Sequence, residues 1–429
     1  MTPETSSPPF SLRKALGPGI LVAGAAIGGS HIVSSTQAGA DFGWALLPIL
    51  FLVNLFKYPF FLFAQKYTAV AGETVLHGYQ RLGPNYLRFF LAFTLLNAAW
   101  SIGGVALVTG FLLTYLPFLS DVNPALLTGV VAVVCVGIAL GGRYRALDAT
   151  AKVVVGMLAL STVAAVVLAL GQGFGGPPEE PISPYTLASF GFVIVFMGWM
   201  PAPIDITAWA SLWMGSREKQ TGQKITLRGA MLDFHIGYLA SVILAFFFLA
   251  LGALVLWNQP QETAYRAMPG VRFATTFIGL YASSIGEWSR YLVWLAAVTC
   301  MFSTTLTCID GWPRTVAFGL HLQSRFGREN PEASYRGKHA VAMAVMVGGA
   351  ILLVMLFFRH NLINQYLATA MTISFLTTPF FALINYRIMG LPHIPPGHRP
   401  RGWIKWISLT GMAFFILFAL IYLIWQFVL

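Results

Sequence analysis

Three ionisable side chains stand inside long apolar runs where little else is polar. His31 lies in "AAIGGSHIVS", Lys57 in "VNLFKYPFF", and Asp205 in "GFVIVFMGWMPAPIDITAWASLWM". An ionisable group at bilayer depth costs several kcal/mol, so such a residue is a functional-site candidate by default. The chemistry these types suggest is binding and charge compensation, not bond-making. The sequence holds no phosphate-binding glycine loop, no nucleophile–histidine–acid arrangement and no metal-ligand spacing. Cys135, Cys300 and Cys308 are odd in number and lie in apolar segments, as buried thiols would. Neither an enzyme nor a resident cofactor is expected.

The elements that must position these groups are membrane spans. Of 429 residues, 57% are hydrophobic and 10% charged, against roughly 25% charged in soluble domains. Mean hydropathy is +0.72. The formal charge of +11 would suit nucleic acid in a soluble protein, but here it belongs in the loops of a polytopic chain. Apolar runs of the needed length predict eleven spans: Leu16–Gln37, Ala45–Ala69, Phe89–Leu116, Pro124–Leu140, Ala149–Leu170, Leu187–Met214, Ala230–Trp257, Tyr291–Trp312, Ala340–Phe358, Leu362–Ile388 and Trp403–Val428. The polar start runs directly into a full-length span, unlike a cleavable signal. "GPPEEP" reads as a solvated turn, and Asp233 and Asp310 as helix-end or loop contacts.

Orientation follows from the 26 lysines and arginines. Arg266, Arg272, Arg290 and Arg359 fall on one side, Lys57 inside a span, and all the others on the opposite side. The positive-inside rule then predicts a cytoplasmic N-terminus and an external C-terminus in the cell (plasma or inner) membrane. Five spans precede the loop "GQGFGGPPEEPISP" (171–184) and five follow it with opposite starting direction, as in an inverted repeat. The expected organisation is one all-α transmembrane domain over 1–429, with repeats at about 15–171 and 185–390 and an extra helix at 403–428.

Spans 1 and 6 open the two repeats, and both are interrupted. Gly28 and Gly29 disfavour helix in the first, and Pro201 and Pro203 break the second. Paired interruptions point to a central transport site. The alternative is a glycine packing seam and a simple proline kink. Half-helices starting near Ser30 and Ala202 would aim unpaired amides and positive dipole ends into the gap, with Ser30, His31 and Thr207 as further donors. The candidate substrate site is therefore Gly28, Gly29, Ser30, His31, Lys57, Met200, Pro201, Ala202 and Thr207. Asp205 is the candidate for carrying a coupling proton. His31 could instead tie down a neighbouring helix, Lys57 could bridge to Asp205, and Met200 could simply pack.

The stretches "LGPGILVAGAAIGGSHIVSSTQAGADFGWALLPILFLVNL", "GGRYRALDATAKVVVGML" and "WMPAPIDITAWAS" resemble spans 1–2, 5 and 6 of the Nramp divalent-metal transporters. The resemblance covers residues 15 to about 390. It implies the LeuT-like fold of two inverted five-helix repeats with broken helices 1 and 6. The family's metal ligands do not carry over. Its Asp-Pro-Gly-Asn falls on Gly28, Gly29, Ser30 and His31, and its Met-Pro-His falls on Met200, Pro201 and Ala202. A second span-6 histidine falls on Thr207. The acidic pair of span 3 falls at about Asn97 and Trp100, and the span-10 glutamine falls in "ATAMTIS" (368–374). A dication would find no carboxylate and one imidazole, so no metal site is expected.

The chain also resembles a side branch of the family that lacks the metal motif and is associated with bicarbonate. The expected function is secondary active transport of a small inorganic anion, bicarbonate foremost, by alternating access with possible proton coupling. The partners are that anion and the lipid bilayer, with no nucleic acid; the oligomeric state is not readable. The alternatives are an Nramp-type metal transporter with rebuilt ligands, a small neutral solute or amino-acid transporter, and a non-transporting sensor. The last would need an output domain that the sequence does not show.

Overall fold

The computed structural model describes residues 24, 26–141, 144–173, 177–222, 225–257, 271–324 and 331–428. The start of span 1 and parts of several loops lie outside them. A π-helical segment, Ser30–Ser35, runs into α1 (Thr36–Phe42). There follow α2 (Leu47–Ala71), α3 (Val75–Leu82), α4 (Pro84–Leu113), α5 (Pro124–Leu140) and α6 (Tyr144–Gln172). Span 6 is split into α7 (Leu187–Trp199) and α8 (Thr207–Thr221). The chain continues through α9 (Leu227–Val255), α10 (Val271–Ile285), α11 (Arg290–Gln323), α12 (Pro331–Arg359), α13 (Ile363–Ile388) and α14 (Gly402–Val428).

Among the described residues, nine helices are long and apolar enough to cross a membrane, and α5 is a shorter apolar helix. Prolines and short polar caps set several starts. Pro84 and Pro124 occupy first-turn positions where no amide is needed. The Asn123 side chain accepts from Ala125 N at 2.8 Å, and Thr226 Oγ1 accepts from Gly229 N at 3.1 Å. Several elements depart from expectation, among them the short helix α3 in the stretch expected as loop between spans 2 and 3. The eighth span does not stop at Trp312 but runs to Gln323, with Pro313 inside it, because neighbouring helices in a bundle tolerate one missing amide. The stretch after span 7, expected as loop, contains the amphipathic helix α10.

Hydrogen bonds identify the two ends of the bundle. At one end Tyr185 Oη donates to Ala45 O at 2.5 Å and Trp294 Nε1 to Leu112 O at 2.8 Å. At the other, Tyr67 Oη donates to Glu73 Oε1 at 2.6 Å and Gln80 Nε2 to Leu322 O at 3.3 Å. At the centre α11 packs most extensively against α4 and α12, α9 against α1, and α13 against α7 and α4. The outward faces of α5, α6, α12 and α14 stay apolar, with residues such as Val133, Leu160, Val341 and Leu420 exposed as lipid would require. Glu179 and Glu180 are exposed, in keeping with a solvated turn.

Candidate functional site between two broken helices

The first break falls slightly earlier than the sequence predicts. Ile27 and Gly28 are non-helical, whereas Gly29 already has helical dihedrals (φ −55°, ψ −37°) and Ser30 opens the π-helix. The wide turn is stitched by hydroxyls: Ser35 Oγ donates to Ser30 O at 3.1 Å and Thr36 Oγ1 to His31 O at 3.3 Å. The glycines serve close approach. A Cβ on Gly28 would sit 2.8 Å from Thr304 Oγ1 of α11, and one on Gly29 would sit 2.6 Å from the Trp199 ring.

The second break is extended from Met200 through Pro203, and a 3₁₀ turn, Ile204–Ile206, leads into α8. The helical restart is thus at Ile204, two residues beyond the expected Ala202, because Pro203 ends the extended stretch. The two breaks touch: Ser30 Oγ lies 3.2 Å from Pro201 O and 2.8 Å from Ala26 O.

Lys57 is fully buried and its ammonium has three acceptors. Nζ donates to Met197 O at 2.8 Å, Gly198 O at 2.9 Å and Ala202 O at 3.2 Å. An ammonium has three protons, so its donor capacity is used in full. The bridge to Asp205 weighed from the sequence is not among the ion pairs of the described residues. Instead α2 delivers a cation to the carbonyl end of α7, where the helix dipole is negative and four carbonyls lack helical partners.

Between the breaks lies a cavity with about 40 Å³ of room for water centres. A water needs roughly 10–15 Å³ by that measure, so it suits a few small atoms. Its walls include Gly29, Ser30, Ser101, Trp199, Pro201, Ala202, Thr304, Cys308 and Trp312. No charged side chain lines it. A second cavity of about 20 Å³ shares Ala26, Pro201 and Ala202 with the first and adds Gln65, Thr207 and Tyr238. Toward the Tyr185 end a larger cavity of about 490 Å³ is lined by Val33, Gln37, Val108, Val195, Gln365 and Met371, among others. Val195 and Trp199 are one helical turn apart, as are Val33 and Gly29. The Trp199 indole, packed over Gly29 and Gly104, forms part of the central cavity's wall.

His31 does not reach the central cavity. Its Nε2 donates to Ser241 O on α9 at 2.9 Å, which leaves Nδ1 facing Ser30 Oγ at 2.7 Å. A carbonyl can only accept, so Nε2 carries a proton whatever the state of Nδ1. The helix-tying role is therefore what the geometry provides. Thr207 lines the 20 Å³ cavity, and its hydroxyl accepts from Asn385 Nδ2 at 3.2 Å. Met200 is fully buried and lines none of the three cavities.

Asp205 is fully buried. Its Oδ2 accepts from Trp312 Nε1 at 2.8 Å and its Oδ1 from Asn97 Nδ2 at 3.1 Å. Asn97 Oδ1 in turn accepts from Ser374 Oγ at 2.5 Å, and Ser374 Oγ accepts from Trp199 Nε1 at 3.0 Å. The acid is thus joined to two of the three indoles of the cavity wall, directly to Trp312 and through Asn97 and Ser374 to Trp199. Asn97 and Ser374 were visible in the sequence only as replacements for the family's polar positions in spans 3 and 10. Trp199 and Trp312 carried a weaker signal, since a buried indole N–H seeks a partner. Asp310 pairs with Arg314 at 2.5 Å, away from this centre. Cys300 Sγ donates to Ile27 O at 3.0 Å, which satisfies a carbonyl at the first break. Among the described residues no group of three or more His, Cys, Asp or Glu could hold a metal ion.

Comparison with known proteins agrees with this architecture. A manganese transporter of Eremococcus coleocola, solved as a mutant, superposes with a TM-score of 0.66 at 14% identity, covering 97% of this chain and 89% of that one. MhsT in complex with L-phenylalanine superposes at 0.63 and 14% identity, covering 95% of this chain and 98% of that one. At such identities the likeness establishes the fold, that of LeuT-like transporters with broken helices 1 and 6. In sequence, the uncharacterized protein PM0681 of Pasteurella multocida (strain Pm70) is 39% identical over 417 residues, 96% of this chain and 92% of that protein. The model for natural resistance-associated macrophage protein-like (Nramp) sequences matches residues 19–426, and so the chain belongs to the Nramp family.

Proposed function

We propose that this multi-pass membrane transporter carries a small monovalent anion, with bicarbonate the leading candidate, and that a proton on Asp205 accompanies it. One observation carries the reading: the Lys57 ammonium binds three carbonyl oxygens at the span-6 break. A transported cation would need such oxygens as ligands, and here a tethered cation already holds them. Its positive charge, with the amides that open the π-helix and α8, favours an anion in the adjoining cavity.

Lys57 acts through the field and not by contact. While Asp205 is ionised the two buried charges offset each other. Protonating Asp205 leaves the lysine uncompensated, and anion entry restores neutrality, so proton and anion bind together. Bicarbonate has four heavy atoms, in scale with the 40 Å³ cavity. Ser30, Ser101 and Thr304 place hydroxyls on the cavity wall; these now donate to Ala26 O, Asn97 Oδ1 and Cys300 O, and would turn toward an entering anion. The cavity is too small for an aromatic amino acid without movement of its walls.

The test is labelled-bicarbonate uptake into proteoliposomes at fixed bicarbonate concentration, with an inward proton gradient and empty liposomes as the control for CO₂ leakage. Saturable uptake above that control, stimulated by the gradient, is expected. Uptake equal to the control overturns bicarbonate, and saturable Mn²⁺ uptake by the same vesicles overturns the anion reading.

A further inference from the structure

At the Tyr67–Glu73 end of the bundle, far from the central cavity, the turn joining α13 to α14 encloses a pocket of about 490 Å³. Its lining includes Tyr386, Arg387, Leu391, Arg399, Pro400 and Lys405, with three cations and no carboxylate. Two of the cations are held in place by neutral groups. Arg399 donates from Nε to Ile394 O at 3.1 Å and from Nη2 to Leu391 O at 3.4 Å. That leaves most of its five N–H donors unspent. Arg387 donates to Tyr86 Oη and lies 5.7 Å from the centre of the Tyr86 ring. Lys405 makes no hydrogen bond or ion pair among the described residues, and its ammonium lies 5.9 Å from the Trp406 ring.

The neighbouring acid does not offset this charge. Glu73 is held by Arg81 at 2.8 and 2.9 Å and by Tyr67 at 2.6 Å. Depth in the membrane is marked independently. Trp403 and Trp406, in the first turns of α14, are 64% and 66% exposed, and beyond them the helix turns apolar residues such as Leu417 and Leu420 outward. Exposed indoles at the start of an apolar span mark the level of the headgroups.

We propose that this pocket binds the phosphate of an anionic membrane phospholipid, with its acyl chains along the apolar face of α14. A phosphodiester matches the available donors: guanidinium groups bind its oxygens directionally, and the free lysine adds a point charge. Free inorganic phosphate presents the same chemistry but lacks chains to bury against α14.

The test uses the full-length protein in neutral detergent, with thermal unfolding measured in phosphatidylglycerol, phosphatidylcholine or inorganic phosphate. Phosphatidylglycerol should raise the midpoint by on the order of 3 °C above phosphatidylcholine, through preferential binding to the folded state. Lys405→Glu should abolish most of that rise. Arg399→Gln should reduce the rise as well. Equal protection by both lipids, full protection by inorganic phosphate alone, or a wild-type response in Lys405→Glu would each overturn the proposal.

Discussion

The Asp205 carboxylate and the Trp312 indole are joined at 2.8 Å, so a buried acid holds one wall of the central cavity. In Asp205→Asn the new amide can accept from only one of its two present donors, Trp312 and Asn97. That leaves one N–H unsatisfied, at about 1–3 kcal/mol. The expected outcome is a folded transporter whose anion exchange persists at reduced rate without its dependence on pH. In the wild type, uptake at fixed bicarbonate should rise as the pH on the anion's side falls, because the protonated acid unmasks Lys57. Exchange measured across a pH series in both proteins decides this; an unchanged pH profile in the variant removes Asp205 as the proton carrier.

Replacing Lys57 with methionine keeps the stem but leaves Met197 O, Gly198 O and Ala202 O without their donor. A loss of about 3 kcal/mol or more is expected, since each orphaned buried acceptor costs on the order of 1–3 kcal/mol. Thermal unfolding in detergent reads this directly. A midpoint within a degree of wild type would mean that the three contacts carry little weight.

His31 lines none of the three cavities, and its ring bonds to Ser241 and Ser30. His31→Ala should therefore lower stability by about 1–3 kcal/mol and reduce the maximal uptake rate. The KM for the anion should stay within about twofold. A large rise in KM with little loss of stability would instead make His31 a substrate ligand.

Gly29→Ala places a methyl 2.6 Å from the Trp199 ring. Overpacking of this kind costs about 1–3 kcal/mol. Trp199→Leu in the same chain should recover much of that loss, so the double variant falls well short of the summed single effects. Additive losses would mean that Gly29 is required for some reason other than the indole.

Purified protein in vesicles should show no saturable Mn²⁺ uptake, followed with an entrapped metal-quenched dye. The positions where the resemblance would place the family's Asp and Asn ligands read Gly28 and His31 here, and both nitrogens of that imidazole are engaged.

Much of this was legible in the sequence. Most of the spans, both interruptions and the burial of Lys57 and Asp205 follow from hydropathy and from glycine and proline chemistry, which act locally. Direction did not follow. Nothing local says whether Lys57 points at a cavity, at Asp205 or at the carbonyls of α7, because that depends on how α2 packs against a segment 140 residues away. The hydrogen-bond chain from Asp205 through Asn97 and Ser374 to Trp199 was hidden for the same reason. Each residue alone reads as an ordinary polar or aromatic side chain in a helix. The one-residue shift of the first break reflects the π-helix, which local composition at Ser30–Ser35 does not announce.

The tethered ammonium also bears on how the molecule can move. Hydrogen bonds from a charged donor are worth about 1.5–3 kcal/mol each, and three of them fasten α2 to the end of α7 and to Ala202 in the break beyond it. Separating those segments would strand a charge at mid-membrane, so they should travel as one rigid body through the transport cycle. That body also rests closely on α13: Trp199 Nε1 donates to Ser374 Oγ at 3.0 Å, and a Cβ on Gly198 would sit 2.0 Å from Met371 O. The hinge line of the cycle should therefore not run between α2 and α7, and the backbone contact of Gly198 with Met371 opposes sliding of α7 over α13 at that level.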